Sequence, residues 1–209
     1  MEGQSSTALS PEGKSQAKQL AQMLVSCCSA GRCPSTFTID KPTYLYSSPL
    51  LRAQQTAQCL SAALQQSGHS FQTVEDSRLK EIHQGIFQGL TWPEAQTSFP
   101  QLCARLMSTP AWQPVPGAES PQEARARSHN WLTQILSRHQ PGETLWAVSH
   151  AGFMMHLIAE IRGQRSPWEK QISHTATFEF WFSTESLDVP QPDDLGSKRW
   201  RLHYFNQLY

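Results

Sequence analysis

The stretch Thr144-Leu145-Trp146-Ala147-Val148-Ser149-His150-Ala151-Gly152 decides the fold class of this 209-residue chain. Its first five residues are β-prone or apolar, which predicts a buried strand. The next four residues are small or polar and predict a tight turn. Apolar residues then recur at helical spacing, at Phe153, Leu157, Ile158 and Ile161, and predict a helix. A buried strand that leads directly into a helix is typical of a parallel α/β sheet.

The same strand–turn–helix pattern occurs earlier in the chain. Residues 43–46 predict a second buried strand, and a turn with Ser48 and Pro49 follows it. We expect Ser48 to cap the next helix with Pro49 in its first turn. Ser10 and Pro11 carry the same signal at the start of a helix near the beginning of the chain.

The remaining segments complete the predicted fold. A capping box at residues 120–123 predicts a further helix, and residues 175–182 and 200–205 predict two more strands. Residues from about 82 to 118 are rich in Gly and Pro and lack periodicity, which indicates a lid-like insertion with short helices. We therefore expect a single domain over residues 1–209, a three-layer α/β/α fold with a mainly parallel sheet.

Composition excludes several function classes. The chain has 17 basic and 17 acidic residues, so we expect neither nucleic acid nor a membrane as a partner, because both select basic surfaces. Its five cysteines are scattered and odd in number, which favours free thiols in a reducing cytoplasm. The sequence carries no signal peptide, no bilayer-length apolar run and no cluster at metal-ligand spacing. We expect a cytoplasmic protein without metal or cofactor, and the oligomeric state stays open.

Two strand-to-helix turns are candidates for chemistry, because ligands of an open α/β sheet bind beyond the carboxyl ends of its strands. The first turn places Ser48 and a helix N-terminus beside Arg52, a combination that suits phosphate oxygens. The alternative for Arg52 is a solvated helix residue. The second turn places His150 directly after a strand, with Ala151 and Gly152 small enough to let a ligand approach the backbone. The alternative for His150 is a core histidine bonded to the backbone.

Glu81 is the third candidate. It lies in Arg78-Leu79-Lys80-Glu81-Ile82-His83-Gln84-Gly85, at the start of the predicted insertion. A carboxyl group at this place can deliver a proton to a leaving group. A solvated loop charge is the alternative interpretation.

In combination these segments resemble the histidine phosphatase superfamily, which has the phosphoglycerate-mutase-like fold. The matching pieces follow the family order from residue 9 to about residue 180. They are Leu9-Ser10-Pro11-Glu12-Gly13 with Gln16-Ala17, Ser47-Ser48-Pro49 with Arg52-Ala53 and Thr56-Ala57, Leu79 and Glu81 with Gly85 and Gly89, Pro116-Gly117 with Glu119-Ser120 and Arg127, and Val148-Ser149-His150-Ala151-Gly152.

The resemblance implies a phosphatase that hydrolyses a small phosphomonoester through a phosphohistidine intermediate without a metal. It implies that Arg52 and His150 bind the transferred phosphoryl group and stabilise its charge, together with the helix start at Ser48. Glu81 is implied as the general acid for the leaving oxygen and then the base for water. A phosphoglycerate mutase is less favoured, because residues 90–118 hold a single cation where a second phosphate needs several.

The family's nucleophile is absent from the sequence as written. In the family, a first strand ends in Arg-His-Gly, and that histidine attacks phosphorus; here Arg138-His139 is the only Arg-His pair, and Gln140 follows it. We favour an N-terminal truncation over a true pseudoenzyme, because an interior strand that is lost leaves backbone groups unpaired at about 1–3 kcal/mol each. The chain as written is expected to be inactive. The alternative function is a non-catalytic phosphate- or phosphoprotein-binding module.

Two geometric expectations follow. Arg52, Glu81 and His150 should converge on one pocket at the carboxyl end of the sheet, and residues 90–118 should line its mouth. Three further histidines are weak candidates for a replacement nucleophile, because a nucleophile needs in-line placement on a rigid support. They are His83, His156 and His174.

Overall fold

The computed structural model describes residues 1–30, 39–109, 113–164, 166–167, 171–182 and 200–205. Its main sheet has three short parallel strands in the order β2-β1-β3. They are β1 (Tyr44–Ser47), β2 (Gln72–Glu75) and β3 (Leu145–Val148). The register pairs Ser47 with both Glu75 and Val148, so the carboxyl ends of the strands meet at one edge of the sheet.

Helices cover both faces of this sheet. Leu45 of β1 packs in a core with α1 (Pro11–Ala30) and α2 (Leu51–Gln66). Its neighbour Tyr46 packs in a second core with α5 (Pro121–Arg138) and α6 (Ala151–Ile161). The two cores are separate because successive residues of a strand point to opposite faces. The prediction of a three-layer α/β/α fold with a parallel sheet is confirmed.

Strand β2 is an element that the sequence did not predict. It reads Gln72-Thr73-Val74-Glu75, and its side chains are mostly exposed. An exposed edge strand carries too few apolar residues to produce the period-two signal of a buried strand. Its pairing with β1 follows from the sheet rather than from its own composition.

Two of the predicted helix caps are present. The hydroxyl of Ser10 accepts a hydrogen bond from the amide of Gly13 at 3.0 Å, and α1 begins at Pro11. Ser120 and Glu123 form the predicted capping box at the start of α5. Among the described residues, none of the helices has the length and apolar character needed to cross a bilayer.

The predicted cap at Ser48 is wrong. Helix α2 begins at Leu51, and the residue in the cap position is Leu50, which has no polar side chain to cap with. Ser48 lies two residues earlier, at the end of β1, and its hydroxyl contacts His150 instead. The local Ser-Pro pattern could not anticipate that a distant histidine would use this hydroxyl.

The insertion holds short helices where they were predicted, around residues 93–107. They are α3 (Trp92–Ser98) and α4 (Pro100–Ser108), and a 3₁₀ turn that was not predicted (Gly85–Phe87) precedes them. Phe87 lies at the centre of their own small apolar cluster. Residues 110–112, which include Trp112, lie outside the described residues.

A second, antiparallel sheet consists of β4 (Thr177–Phe182) and β5 (Trp200–Phe205), close to the predicted bounds. Strand β4 begins two residues later than expected, because Thr175 has a φ of 58°, a left-handed conformation that does not fit a strand. In the described part of the chain, β3 pairs with β1 alone, and Ala147 in its middle is exposed. The outer edge of β3 is therefore open in this structure.

Candidate functional site

Ser48 and His150 meet at the carboxyl edge of the main sheet. Ser48 directly follows β1, and His150 lies two residues after the end of β3. The amide of Ser48 donates to the carbonyl of Val148 at 3.0 Å. Nε2 of His150 lies 2.8 Å from the hydroxyl oxygen of Ser48. Both residues are buried, with exposed fractions of 0% for Ser48 and 8% for His150. The two turns that the sequence singled out are thus joined by a direct, water-shielded contact.

Positive charge surrounds His150. Burial, and after it the positive charges of the Arg52 and Arg127 guanidinium groups, lowers the pKa of its imidazole from 6.5 to about 3. The ring is therefore neutral at physiological pH. A neutral imidazole has one N–H donor and one acceptor nitrogen, so the position of its single proton decides what it can bind.

Arg52 lies in the first turn of α2, as expected, but its guanidinium already has protein partners. It donates to the carbonyls of Gly3 at 2.7 Å and Ser5 at 2.9 Å, and it lies 3.7 Å from the carboxylate of Glu2. Arg52 thus ties the first residues of the chain to the start of α2. A guanidinium has five N–H donors, so these contacts leave capacity for an anion.

Glu81 lies against the start of α6. Its carboxylate accepts hydrogen bonds from the amides of Ile82 at 2.8 Å, Phe153 at 3.0 Å and Gly152 at 3.2 Å. The amides at a helix N-terminus lack intrahelical partners and favour a negative charge, so Glu81 completes the end of α6 from a separate segment. A Cβ at Gly152 would lie 2.5 Å from the carboxylate oxygen, which explains why glycine occupies this position.

Arg127 is a site residue that the motif comparison included without a role. It forms a bidentate ion pair with Glu119, with distances of 2.7 and 2.8 Å. Its third nitrogen donates to the carbonyls of Arg78 at 2.6 Å and Lys80 at 2.7 Å. Arg127 therefore fixes the segment that leads into Glu81. No sequence pattern signals this, because the carbonyl partners lie 47 or more positions away.

The three alternative histidines take no part in the hydrogen bond between Ser48 and His150. Nδ1 of His83 lies 2.9 Å from the carbonyl of Gly117, in the insertion. His156 lies within α6, where burial lowers its pKa, and His174 is exposed. Across the described residues, none of the three is hydrogen-bonded to Ser48 or His150.

The end of the insertion runs beside the Glu81 segment. The amide of Ile86 donates to the carbonyl of Pro116 at 3.0 Å, and the amide of Glu119 donates to the carbonyl of His83 at 2.9 Å. These contacts place the exit of the insertion near the site. The expectation that residues 90–118 line a pocket mouth stays a prediction. The described residues contain no group of three or more His, Cys, Asp or Glu that could hold a metal ion.

Known proteins are similar to this chain in sequence. Over 123 residues the chain is 31% identical to a metal-independent phosphoserine phosphatase of Arabidopsis thaliana, a match that covers 58% of this chain and 50% of that protein. The chain thus spans half the length of that relative. It is 28% identical over 168 residues to a glucosyl-3-phosphoglycerate phosphatase of Mycobacterium tuberculosis, covering 77% of this chain and 67% of that protein.

The fold is likewise similar to a solved structure. The native structure of mycobacterial glucosyl-3-phosphoglycerate phosphatase superimposes with a TM-score of 0.72 at 25% identity, covering 99% of this chain and 91% of the other. The family model of the histidine phosphatase superfamily, branch 1, matches residues 1–185. Since that match takes in the whole site described above, the chain belongs to the histidine phosphatase superfamily, branch 1.

Proposed function

We propose that this chain binds the phosphoryl group of small phosphomonoesters and forms the phosphoryl-binding part of a phosphatase that uses a phosphohistidine intermediate. The observation that carries the proposal is the position of His150 at the carboxyl edge of the sheet, in contact with Ser48 and close enough to Arg52 and Arg127 for both guanidinium charges to lower the pKa of its imidazole. Phosphoryl transfer is catalysed chiefly by placed N–H donors and positive charge around the oxygens. A dianionic phosphoryl group would place negative charge beside these two guanidinium groups.

Each residue then has a distinct role. Arg52 and His150 bind the phosphoryl oxygens and stabilise the charge of the transition state. A histidine nitrogen forms the new bond to phosphorus while the bond from phosphorus to the ester oxygen breaks. Glu81 donates a proton to that oxygen, and it later accepts a proton from the water that hydrolyses the phosphohistidine. Ser48 is fully buried and in contact with His150, and its expected direct contact with phosphate stays a prediction.

The nucleophile is not supplied by the sequence as written, which contains no Arg-His-Gly. Because β1 and β3 pair directly with each other, the structure leaves no gap between them for the interior strand that we expected. Among the described residues the other edge of β3 has no strand partner, and this supports the proposal that a further strand with this motif pairs there in the active protein. Such a strand would satisfy the unpaired backbone groups of β3 and bring a histidine to the same edge as His150. The present chain should therefore bind oxyanions without hydrolysing phosphomonoesters.

The substrate class is small and phosphorylated. The two curated relatives are named for phosphoserine and glucosyl-3-phosphoglycerate, which are both small phosphomonoesters. One relative is described as metal-independent, which agrees with a reaction that needs only side chains. We propose the same metal-independent hydrolysis for the active form of this protein.

The test compares the chain as written with a form extended by a strand that ends in Arg-His-Gly. Hydrolysis of p-nitrophenyl phosphate is measured with and without EDTA. The present chain should stay at background, and the extended form should turn over equally in both conditions. The matched control replaces the histidine of the added strand by alanine. Robust turnover by the present chain that is abolished by His150→Ala would mean that it already holds its nucleophile.

A non-catalytic phosphate- or phosphoprotein-binding module is the second candidate, favoured by the absence of Arg-His-Gly. Titration of the present chain with inorganic phosphate and orthovanadate, followed by NMR, measures binding without turnover. If the extended form binds both anions and hydrolyses no member of a phosphomonoester panel, the binding module becomes the better description.

A further inference from the structure

We propose that Ser48 is a positioning residue that fixes the tautomer of His150, so that the imidazole presents its N–H to an incoming phosphoryl oxygen. The proposal rests on the proposed function for the identity of the ligand. The control of the His150 ring proton by the Ser48 hydroxyl does not depend on that function and can be tested separately.

The surroundings of the Ser48–His150 contact favour donation from the hydroxyl to the imidazole. The hydroxyl oxygen of Ser48 lies 2.8 Å from Nε2 of His150 and also accepts the amide of Leu50 at 3.3 Å. Ser48 is fully buried, so water does not compete for its hydroxyl. One lone pair of the Ser48 hydroxyl oxygen accepts the amide hydrogen of Leu50. The hydroxyl hydrogen of Ser48 is then free to point at Nε2 of His150. Nε2 is then the acceptor nitrogen of the ring.

The protonation of the other ring nitrogen, Nδ1, follows from the hydrogen bond at Nε2. In a neutral imidazole, the hydrogen bond at one nitrogen decides whether the other carries the proton. When Nε2 accepts from Ser48, Nδ1 carries the N–H. Within the described residues, the only hydrogen bond of the His150 ring is the one from Nε2 to Ser48, so the N–H at Nδ1 remains available to a ligand.

The opposite tautomer would be unproductive. With the proton on Nε2, the Nδ1 lone pair would face the oxygens of a phosphoryl group, which are themselves acceptors. A doubly protonated ring would carry an N–H on both nitrogens, but burial and the charges of Arg52 and Arg127 keep the ring neutral. The hydroxyl of Ser48 thus sets the hydrogen-bonding character that His150 presents.

The direct test is a long-range ¹H–¹⁵N correlation spectrum of the histidine rings at pH 7, recorded on the present chain. In the unsubstituted protein, Nδ1 of His150 should have the shift of a protonated nitrogen and Nε2 that of an acceptor. Ser48→Ala should move the ring toward the Nε2–H form, and Ser48→Thr, which keeps the hydroxyl, should retain the original pattern. The matched control is Ser47→Ala, since the hydroxyl of Ser47 donates to the carbonyl of Ser48 at 3.0 Å in the same turn.

Orthovanadate binding gives the second measurement. Ser48→Ala should weaken binding roughly tenfold, the effect of one misdirected hydrogen bond to an anion, and Ser47→Ala should change it less than about twofold. The proposal is overturned if the unsubstituted ring carries its proton on Nε2, or if a folded Ser48→Ala chain keeps the original pattern. Should Ser48→Ala fail to fold, the pattern of the unsubstituted protein and Ser48→Thr decides. Absence of vanadate binding by the unsubstituted chain would refute the proposed function, whereas the ring spectrum alone decides the role of Ser48.

Discussion

Two histidines of this protein each contact a hydroxyl group from the β1 region, yet their surroundings differ. Nε2 of His150 lies 2.8 Å from Ser48, and Nε2 of His139 lies 2.7 Å from the hydroxyl of Tyr46. Nδ1 of His139 also contacts the carboxylate of Glu143 at 2.7 Å. Nδ1 of His150 has no such partner among the described residues. The first network is open toward a ligand, and the second is closed within the protein.

The charged groups around the two rings support the same distinction between an open and a closed network. At the closed network, the hydrogen bond with His139 lowers the pKa of Glu143, and burial raises the pKa of Tyr46. The carboxylate therefore stays ionised beside His139. At the open network, burial and two guanidinium groups lower the pKa of His150, and no carboxylate is bonded to the ring in the described residues. A histidine–hydroxyl pair is thus structural when its second nitrogen is satisfied, and suited to binding an anion when it is not.

The largest difference should appear in catalysis. In the form extended by an Arg-His-Gly strand, His150→Ala should lower kcat/KM for p-nitrophenyl phosphate by on the order of 10²-fold or more, because one stabiliser of the transition state is lost. His139→Ala should leave kcat/KM of the folded protein within about twofold. Equal losses in the two variants would remove the distinction between an open and a closed network.

The next largest effect should come from Gly152→Ala, which disturbs Glu81 beside the open network and leaves the closed network untouched. The added Cβ would lie 2.5 Å from the carboxylate of Glu81 and displace it from the α6 amides. We expect a loss of about 1–3 kcal/mol in the free energy of unfolding and at least a tenfold fall in kcat of the extended form, about 1.4 kcal/mol or more.

The matched control for Gly152→Ala is Gly13→Ala in the first turn of α1. There the new Cβ meets the flexible side chain of Leu9 at 3.3 Å, and alanine is a better helix former than glycine. Urea titration of both variants provides the measurement. A Gly152→Ala protein with unchanged stability and activity would show that Glu81 is not held by close packing against α6.

The pH dependence of stability should separate the two networks by their pH windows. Unfolded His150 takes up a proton near pH 6.5, whereas the folded ring does so near pH 3. The free energy of unfolding should therefore fall as the pH drops from about 6.5 toward 3, by up to about 1.4 kcal/mol per pH unit for this group. Glu143 has a lowered pKa, so its contribution is present above the usual 4.5 and lost only below it.

Urea titrations between pH 7 and 5 test this difference. His150→Gln should flatten the decline in stability, and His139→Gln should not remove the part that His150 contributes. Some slope should persist in His150→Gln, because burial also lowers the pKa of His156. A decline that is identical in the unsubstituted protein and in His150→Gln would mean that the folded ring takes up its proton normally.

The smallest effect should come from Tyr46→Phe in the closed network. The change removes one hydroxyl from β1 and leaves Nε2 of His139 without its partner, at a cost of about 1–2 kcal/mol in the free energy of unfolding. Orthovanadate binding should stay unchanged, because Glu143 still holds His139. Weaker vanadate binding in Tyr46→Phe would indicate that the two networks communicate through β1.

Sequence patterns predicted the residues of the open network better than the residues that hold the neighbouring segments in place. The turns at Ser48 and His150 stood out because each directly follows a strand-like run, and their contact lies at the sheet edge where such turns meet. Arg127 had no such signal, because its partners Arg78 and Lys80 contribute carbonyl oxygens, which every residue has. The cap predicted for Ser48 was wrong because a local pattern cannot reveal a competing partner in another segment.

The sequence by itself determined the layers of the fold, the starts of α1 and α5 and the positions of the two turns. These features depend on side-chain periodicity and on capping within four residues, so neighbours along the chain carry the information. Tertiary structure alone decided which hydroxyl each histidine contacts and which ring nitrogen stays open. Ser48 and His150 are 102 positions apart, and Tyr46 and His139 are 93 apart. Contacts over such separations arise when strands pair and helices pack, because only then do buried polar groups have to find partners or remain open to a ligand.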